Sequence, residues 1–131
     1  MENPFFKAMS TAASGLAAQG FRLRVVSENV ANADTPGYHR KLIAFDDVYD
    51  RKDGVTKVEV GRLSLDPAKP VERYDPTNPL ADDRGFVQAS NVNTLIEVAD
   101  GREASRSYEA NLATFQQARQ MYSSLLDLLR R

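Results

Sequence analysis

The sequence predicts a mainly α fold with a small β region. Long N- and C-terminal helices form a coiled-coil-like hairpin around a short, loop-rich middle that contains the strands. Three observations carry this expectation. The first thirty residues and the last forty each space their apolar side chains in steps of three and four, the rhythm of a helical seam. Between them a short segment alternates with period two, as a half-buried strand does. Closely placed prolines then rule out regular structure over much of the remaining middle. The expected division is residues 1–35 for the first helix, 36–90 for the middle and 91–131 for the second helix.

Asn3-Pro4 opens the first helix, with Asn as cap and Pro at the first helical position. The seam expected from spacing runs Phe5, Met9, Ala12, Leu16, Gln19, Leu23, Val26 and Val30, with Gln19 its one polar member. Ser10, Thr11, Ala13, Ser14, Gly15, Ala17, Ala18 and Gly20 crowd the other faces with small side chains, open to the approach of further helices. Gly15 and Gly20 each cost about 1 kcal/mol relative to Ala in a lone helix, so packing is expected to offset them.

This helix stops abruptly. Pro36 excludes Thr35 from the α region, and Thr35-Pro36-Gly37-Tyr38 fits a type II turn with Gly at the positive-φ position. Asn29 and Asn32 lie three apart on one face, and Asn32 suits a left-handed helix end.

Leu42-Ile43-Ala44-Phe45 reads as a short strand, and residues 46–53 as a solvated acidic loop closing on the turn dipeptide Asp53-Gly54. Residues 55–60 alternate, Leu63 and Leu65 continue the pattern, and Asp66-Pro67 with Lys69-Pro70 ends it. Residues 72–87 form a turn-rich connector in which Pro76 and Pro79 exclude helix and central strand. Asn93, or the capping box Thr94…Glu97, opens the last helix. Its expected seam runs Val98, Ser105, Tyr108, Leu112, Phe115, Arg119, Tyr122, Leu126 and Leu129, widened by Ala104, Ala118 and Leu125, with Gly101 inside it as a bend or close contact.

Chemistry is sparse. The 131 residues make one domain's worth of chain, with 17 basic and 18 acidic side chains and a net charge of −1. No basic field calls for nucleic acid or an anionic membrane. No apolar run approaches the roughly 20 residues that span a bilayer, and the N-terminus lacks the pattern of a cleavable signal. With no Cys, thiolate sites have no residues to form from. His39, the single His, has basic neighbours and no Gly-framed nucleophile to serve, so neither a His-based metal centre nor a Ser-His triad is expected. The acids of residues 46–53 do not match calcium-loop spacing. No enzyme, cofactor, metal or small-molecule substrate is expected.

Ser14-Gly15-Leu16, Ala18-Gln19, Arg22-Leu23, Val25-Val26-Ser27, Asn29, Ala31-Asn32 and Thr35-Pro36-Gly37-Tyr38 together resemble the N-terminal signature of bacterial flagellar rod, hook and hook-filament junction proteins. Asn93, Glu97, Ala104 and residues 105–111 resemble the signature of their C-terminal helix. Residues 72–87 look like the connector of the proximal rod proteins, with Asn78 and Phe86 as mild variants, whereas Gly101 departs from the Met common nearby.

The resemblance implies a structural subunit of the proximal rod, the drive shaft that transmits torque from motor to hook. Its partners would be copies of itself and other rod proteins. The type III export apparatus would deliver it uncleaved to the periplasmic space, and its terminal helices would tube around the export channel. The expected assembly residues are Leu16, Gln19, Leu23, Val26, Asn29, Asn32, Thr35, Pro36, Gly37, Tyr38, Tyr108, Asn111, Leu112, Phe115 and Tyr122. A soluble helical-hairpin adaptor that binds one partner helix is the alternative from another functional class.

Overall fold

The computed structural model describes residues 3–130; Met1, Glu2 and Arg131, at the outer ends of the two terminal segments, lie outside it. Helix α1 spans Pro4–Ala31 and helix α2 spans Thr94–Leu129. Between them come strands β1 (Lys41–Asp50), β2 (Val55–Leu65), β3 (Glu72–Tyr74) and β4 (Phe86–Gln88). The fold is mainly helical with a small β part, as expected.

Both helices start where a side chain can satisfy their first free amides. Asn3 Oδ1 accepts from Phe5 N at 2.9 Å, with Pro4 following as the first helical residue. Asn93 Oδ1 accepts from Leu95 N and Ile96 N, so Asn93 rather than Thr94 caps α2, and Glu97 is released for another use.

The helices pair antiparallel. Tyr122 meets Phe6 with ring centroids 5.0 Å apart at one end, Asn111 lies across Gly15 in the middle, and Asn29 touches Glu97 at the other end. Ala12, Ala104 and Ala118 are buried as expected, but most of the other seam positions are displaced by about one residue. The buried positions are Ala12, Gly15, Ala18, Val25 and Asn29 on α1, facing Glu97, Ala104 and Ala118 on α2. Leu16, Gln19, Leu23 and Val26 are only half-buried, and Val30 is exposed. On α2, Val98, Leu112, Arg119, Leu126 and Leu129 face outward, whereas Phe115 and Tyr122 flank the seam.

The reason is size. A seam of Ala and Gly lets two helix backbones approach closely, and the larger apolar side chains are displaced to its flanks. Of the small residues expected to stay open to other helices, Gly15 and Ala18 thus build the intramolecular contact itself, while Thr11, Ala13 and Ala17 remain exposed.

Strands β1 and β2 form an antiparallel ribbon from Lys41↔Leu65 to Asp50↔Val55. Ile43 pairs with Leu63 but Phe45 with Val60, so Gly61 and Arg62 oppose the single Ala44 in a bulge that twists the ribbon. The expected acidic loop begins too early. Asp46, Asp47 and Asp50 belong to β1, because Glu59, Val58 and Val55 opposite them hold the strand in register. The turn proper occupies residues 51–54 and closes on Gly54 at φ 63°.

The ribbon packs along α1 and not α2, so α1 runs between the ribbon and its partner helix. Asn29 bonds the main chain of β1 at Lys41, while Ser14 Oγ accepts from Val58 N of β2 at 3.1 Å. At the tip, Ser10 Oγ donates to Asp53 Oδ2 at 2.9 Å. The connector is also more ordered than its prolines suggest. β3 and β4 pair antiparallel on either side of Pro76 and Pro79, with Gly85 (φ 82°) under the Tyr74 ring.

Candidate functional site

The signature turn is where the chain converges. Tyr38 N donates to Thr35 O at 3.2 Å and Gly37 has φ 72°, the two marks of the expected type II turn. Asn32 departs from its expected left-handed conformation, with φ −106°. Its amide instead donates to Glu28 O at 2.8 Å and its Oδ1 accepts from Thr35 Oγ1 at 3.2 Å. The helix end is thus satisfied by a side chain, and only Gly37 needs positive φ.

Thr35, Pro36 and Gly37 are exposed, but their backbone is docked. Gly37 N donates to Gln88 O of β4 at 3.0 Å, and Asn91 N donates to Tyr38 O at 3.3 Å. Asn91 Oδ1 accepts from Arg40 N at 2.6 Å.

Asn29, 1% exposed, uses its whole amide. Oδ1 accepts from Tyr38 Oη at 3.0 Å and Lys41 N at 2.9 Å, while Nδ2 donates to Lys41 O at 3.0 Å and Glu97 Oε2 at 3.2 Å. In bonding both the N–H and C=O of Lys41 it stands in for a neighbouring strand. Burial pushes the Tyr38 hydroxyl above its ordinary pKa, which keeps it protonated as the donor.

Glu97, also 1% exposed, takes its charge partner from the segment after the turn: Arg40 Nε donates to Glu97 Oε1. Arg40 also reaches Asp100 Oδ2 at 3.1 Å and Asp66 Oδ2 at 3.7 Å. Burial disfavours its charge, but the Glu97 bond and the charges of Glu97, Asp100 and Asp66 outweigh that and hold its pKa above the ordinary value. Arg22 adds bonds to Asp100 at 3.2 Å and Glu103 at 3.4 Å, tying mid-α1 to the same turns of α2. Removing one partner of such a buried pair costs about 3–5 kcal/mol. The junction is therefore a rigid polar lock between the end of α1, the turn, β1 and the start of α2.

Of the residues singled out in the sequence, Asn29, Tyr38 and the turn meet here. Tyr108, Asn111, Phe115 and Tyr122 line or flank the helix seam. Leu112, one turn from Tyr108, lies at the outer edge of the seam, 37% exposed. Gln19 Oε1 is buried without a hydrogen-bond partner among the described residues. Sequence reading missed Arg40, Asp66, Asn91 and Asp100, and gave Glu97 only a capping role. One signal was available: Glu97 is a lone charge inside the apolar run Leu95-Ile96-Glu97-Val98-Ala99, and charges so placed are paired when buried.

Among the described residues no group of three or more His, Cys, Asp or Glu is placed to hold a metal ion. Nor is any helix long and apolar enough to cross a membrane.

Residues 9–39 match the family described as flagella basal body rod protein, and residues 83–128 match the flagellar basal body rod FlgEFG protein C-terminal family. The flagellar basal-body rod protein FlgC of Agrobacterium fabrum is 48% identical over 98% of this chain and 97% of its own. That of Salmonella typhimurium is 38% identical over 89% and 92%, and that of Bacillus subtilis 30% identical over 94% and 97%. The chain belongs to the FlgC-type flagellar basal-body rod proteins. It is a structural subunit of the basal-body rod. In this rod protein the two matched segments are those the lock joins, α1 with its turn and β4 with α2. The β1–β2 ribbon falls in the stretch between them.

Proposed function

We propose that this subunit builds the proximal rod by packing the outer faces of its terminal helices against neighbouring subunits, copies of itself and other rod proteins. One observation carries the reading. Every buried apolar side chain among the described residues is valine or smaller, whereas Ile96, Val98, Leu112, Met121, Leu125 and Leu128 lie exposed along α2. A helix with large apolar residues facing outward and a seam of alanines inward has an unfinished core, and a neighbouring helix finishes it.

The helical pair forms the inner tube around the export channel, and the ribbon-bearing middle lies at larger radius. Many helix contacts share the load, so the array resists twist and transmits torque from motor to hook. The lock supports this role by holding helix pair and ribbon as one body. The polar groups that converge there bond one another, which supports a non-enzymatic role without cofactor. Delivery is by the flagellar type III export apparatus, without a cleaved signal, to the periplasmic space.

The chain contains no cysteine, so one introduced thiol is a unique probe. Leu112→Cys should react with a maleimide in the free subunit and be protected in isolated basal bodies. Equal reactivity in both would place this face in solvent and overturn the reading.

A further inference from the structure

Asn29 bonds Tyr38 and Lys41 nearby, but the other bonds that finish the end of the N-terminal half reach far along the chain. Gly37 N ends on Gln88, Tyr38 O on Asn91 and Arg40 N on Asn91. The Asn29 amide ends on Glu97 across 68 residues, the Arg40 guanidinium on Glu97 and Asp100, and Arg22 on Asp100 and Glu103 across 78 and 81. Asn29 is fully buried and Arg40 largely so, and these partners come from one stretch, residues 88–103. The local alternatives are weak. The first 87 residues offer α1 no second helix, and within them Arg40 finds only Asp66, at 3.7 Å.

We infer that residues 88–103 act as a key that closes the N-terminal half. Until they are present, Gly37 N, Tyr38 O, Arg40 N, one N–H of the Asn29 amide and most of the Arg40 guanidinium lack the partners they have in the fold, and leaving such groups unmade costs more than making them returns. A chain that emerges N-terminus first therefore keeps residues 22–41 open until its last third arrives. Closure then happens in one cooperative step that joins α1, the turn, β1 and α2. The same geometry polarises the closed subunit. Its junction end is tied by charge and hydrogen bonds, while at its far end residues 123–130, beyond Tyr122, are all exposed.

The inference concerns the single chain and does not depend on how subunits pack in the rod. It is tested by amide hydrogen exchange on the isolated full-length protein. Residues 25–41 and 94–104 should exchange as one group with a common protection factor, and residues 123–129 should exchange faster. Glu97→Ala should lower protection of both groups by the same factor, at least tenfold, although the first lies more than 50 residues from the substitution. Glu97→Gln, which keeps an acceptor for Asn29 but removes the charge facing Arg40, should lower both by a smaller shared factor. Should the alanine variant fail to fold, the glutamine variant and the parent's common protection still decide the matter. Protection of residues 25–41 that is unchanged in the variants, or different from that of 94–104 in the parent, would overturn the key.

Discussion

Asn111 lies directly across Gly15, so close that a Cβ built on Gly15 would sit 2.7 Å from its Nδ2 and 2.8 Å from its Cγ. The Asn111 side chain is held there by a 3.0 Å bond to Ser107 O, one turn back. This contact sets the helix separation at the middle of the seam. It also explains a glycine that would otherwise weaken α1.

Gly15→Ala and Gly101→Ala make a matched pair. Each should gain about 1 kcal/mol of helix propensity. At Gly15 the overpacking against Asn111, about 1–3 kcal/mol, outweighs the gain, so stability should fall by about 1 kcal/mol. At Gly101 the nearest atom to a new Cβ is Val26 Cγ1 at 3.4 Å, an ordinary contact, so stability should rise by about 0.5–1 kcal/mol. Urea denaturation of both variants reads the signs; two losses would mean that the seam is tight along its whole length.

Gly37→Val should destabilise the junction through the backbone alone. A Cβ at Gly37 meets nothing within 4 Å, but at φ 72° a β-branched residue costs roughly 1–2 kcal/mol or more. The turn directs the chain from α1 into the lock, so rod incorporation should fall with stability. A variant as stable and motile as the parent would contradict the type II assignment.

Leu112→Asp separates subunit folding from assembly. Leu112 is partly solvent-facing in the single chain, so the change should alter subunit stability by no more than about 0.5 kcal/mol. In the rod the same position is proposed to be covered by a neighbour, where an unpaired carboxylate costs several kcal/mol. Export should survive and incorporation into basal bodies should fail. Normal incorporation would remove α2's outer face from the proposed interface.

Acid should loosen the ribbon tip first. The Lys57 ammonium bonds Asp50 Oδ2 at 2.6 Å and Asp53 Oδ2 at 2.5 Å, and Ser10 also donates to Asp53. The Lys57 bond first, then the neighbouring amides or hydroxyl, hold both carboxylates below their ordinary value of 3.8. A carboxylate depressed on folding contributes stability above its unfolded pKa and loses it as pH falls through the folded one. The protection factor at residues 50–58, with the intrinsic pH dependence of amide exchange divided out, should therefore be steady above pH 4 and fall below it. Lys57→Met should weaken that pH step; an unchanged step would assign it to other carboxylates.

The sequence by itself determined the two helices, the ribbon between them, their order and where the helices begin, but not the second half of β1 or the β3–β4 pair. These depend on local chemistry that needs no partner: Asn3 and Asn93 as caps, Gly37 at positive φ after Pro36, Asp53-Gly54 closing the ribbon, and prolines ending β2. Only the tertiary structure decided which face of each helix turns inward. Leu16 and Leu112 advertise a seam one residue away from the one formed, because apolar spacing marks faces that want burial without saying whether the partner lies in the same chain or another. The small side chains at Ala12, Gly15, Ala18, Ala104 and Ala118 win the intramolecular contact by letting the backbones approach closely. The pairing of Arg40 with Glu97 was illegible for a related reason. A charge is read as solvated unless its partner is in view, and here the partners are 57 residues apart until the chain has folded.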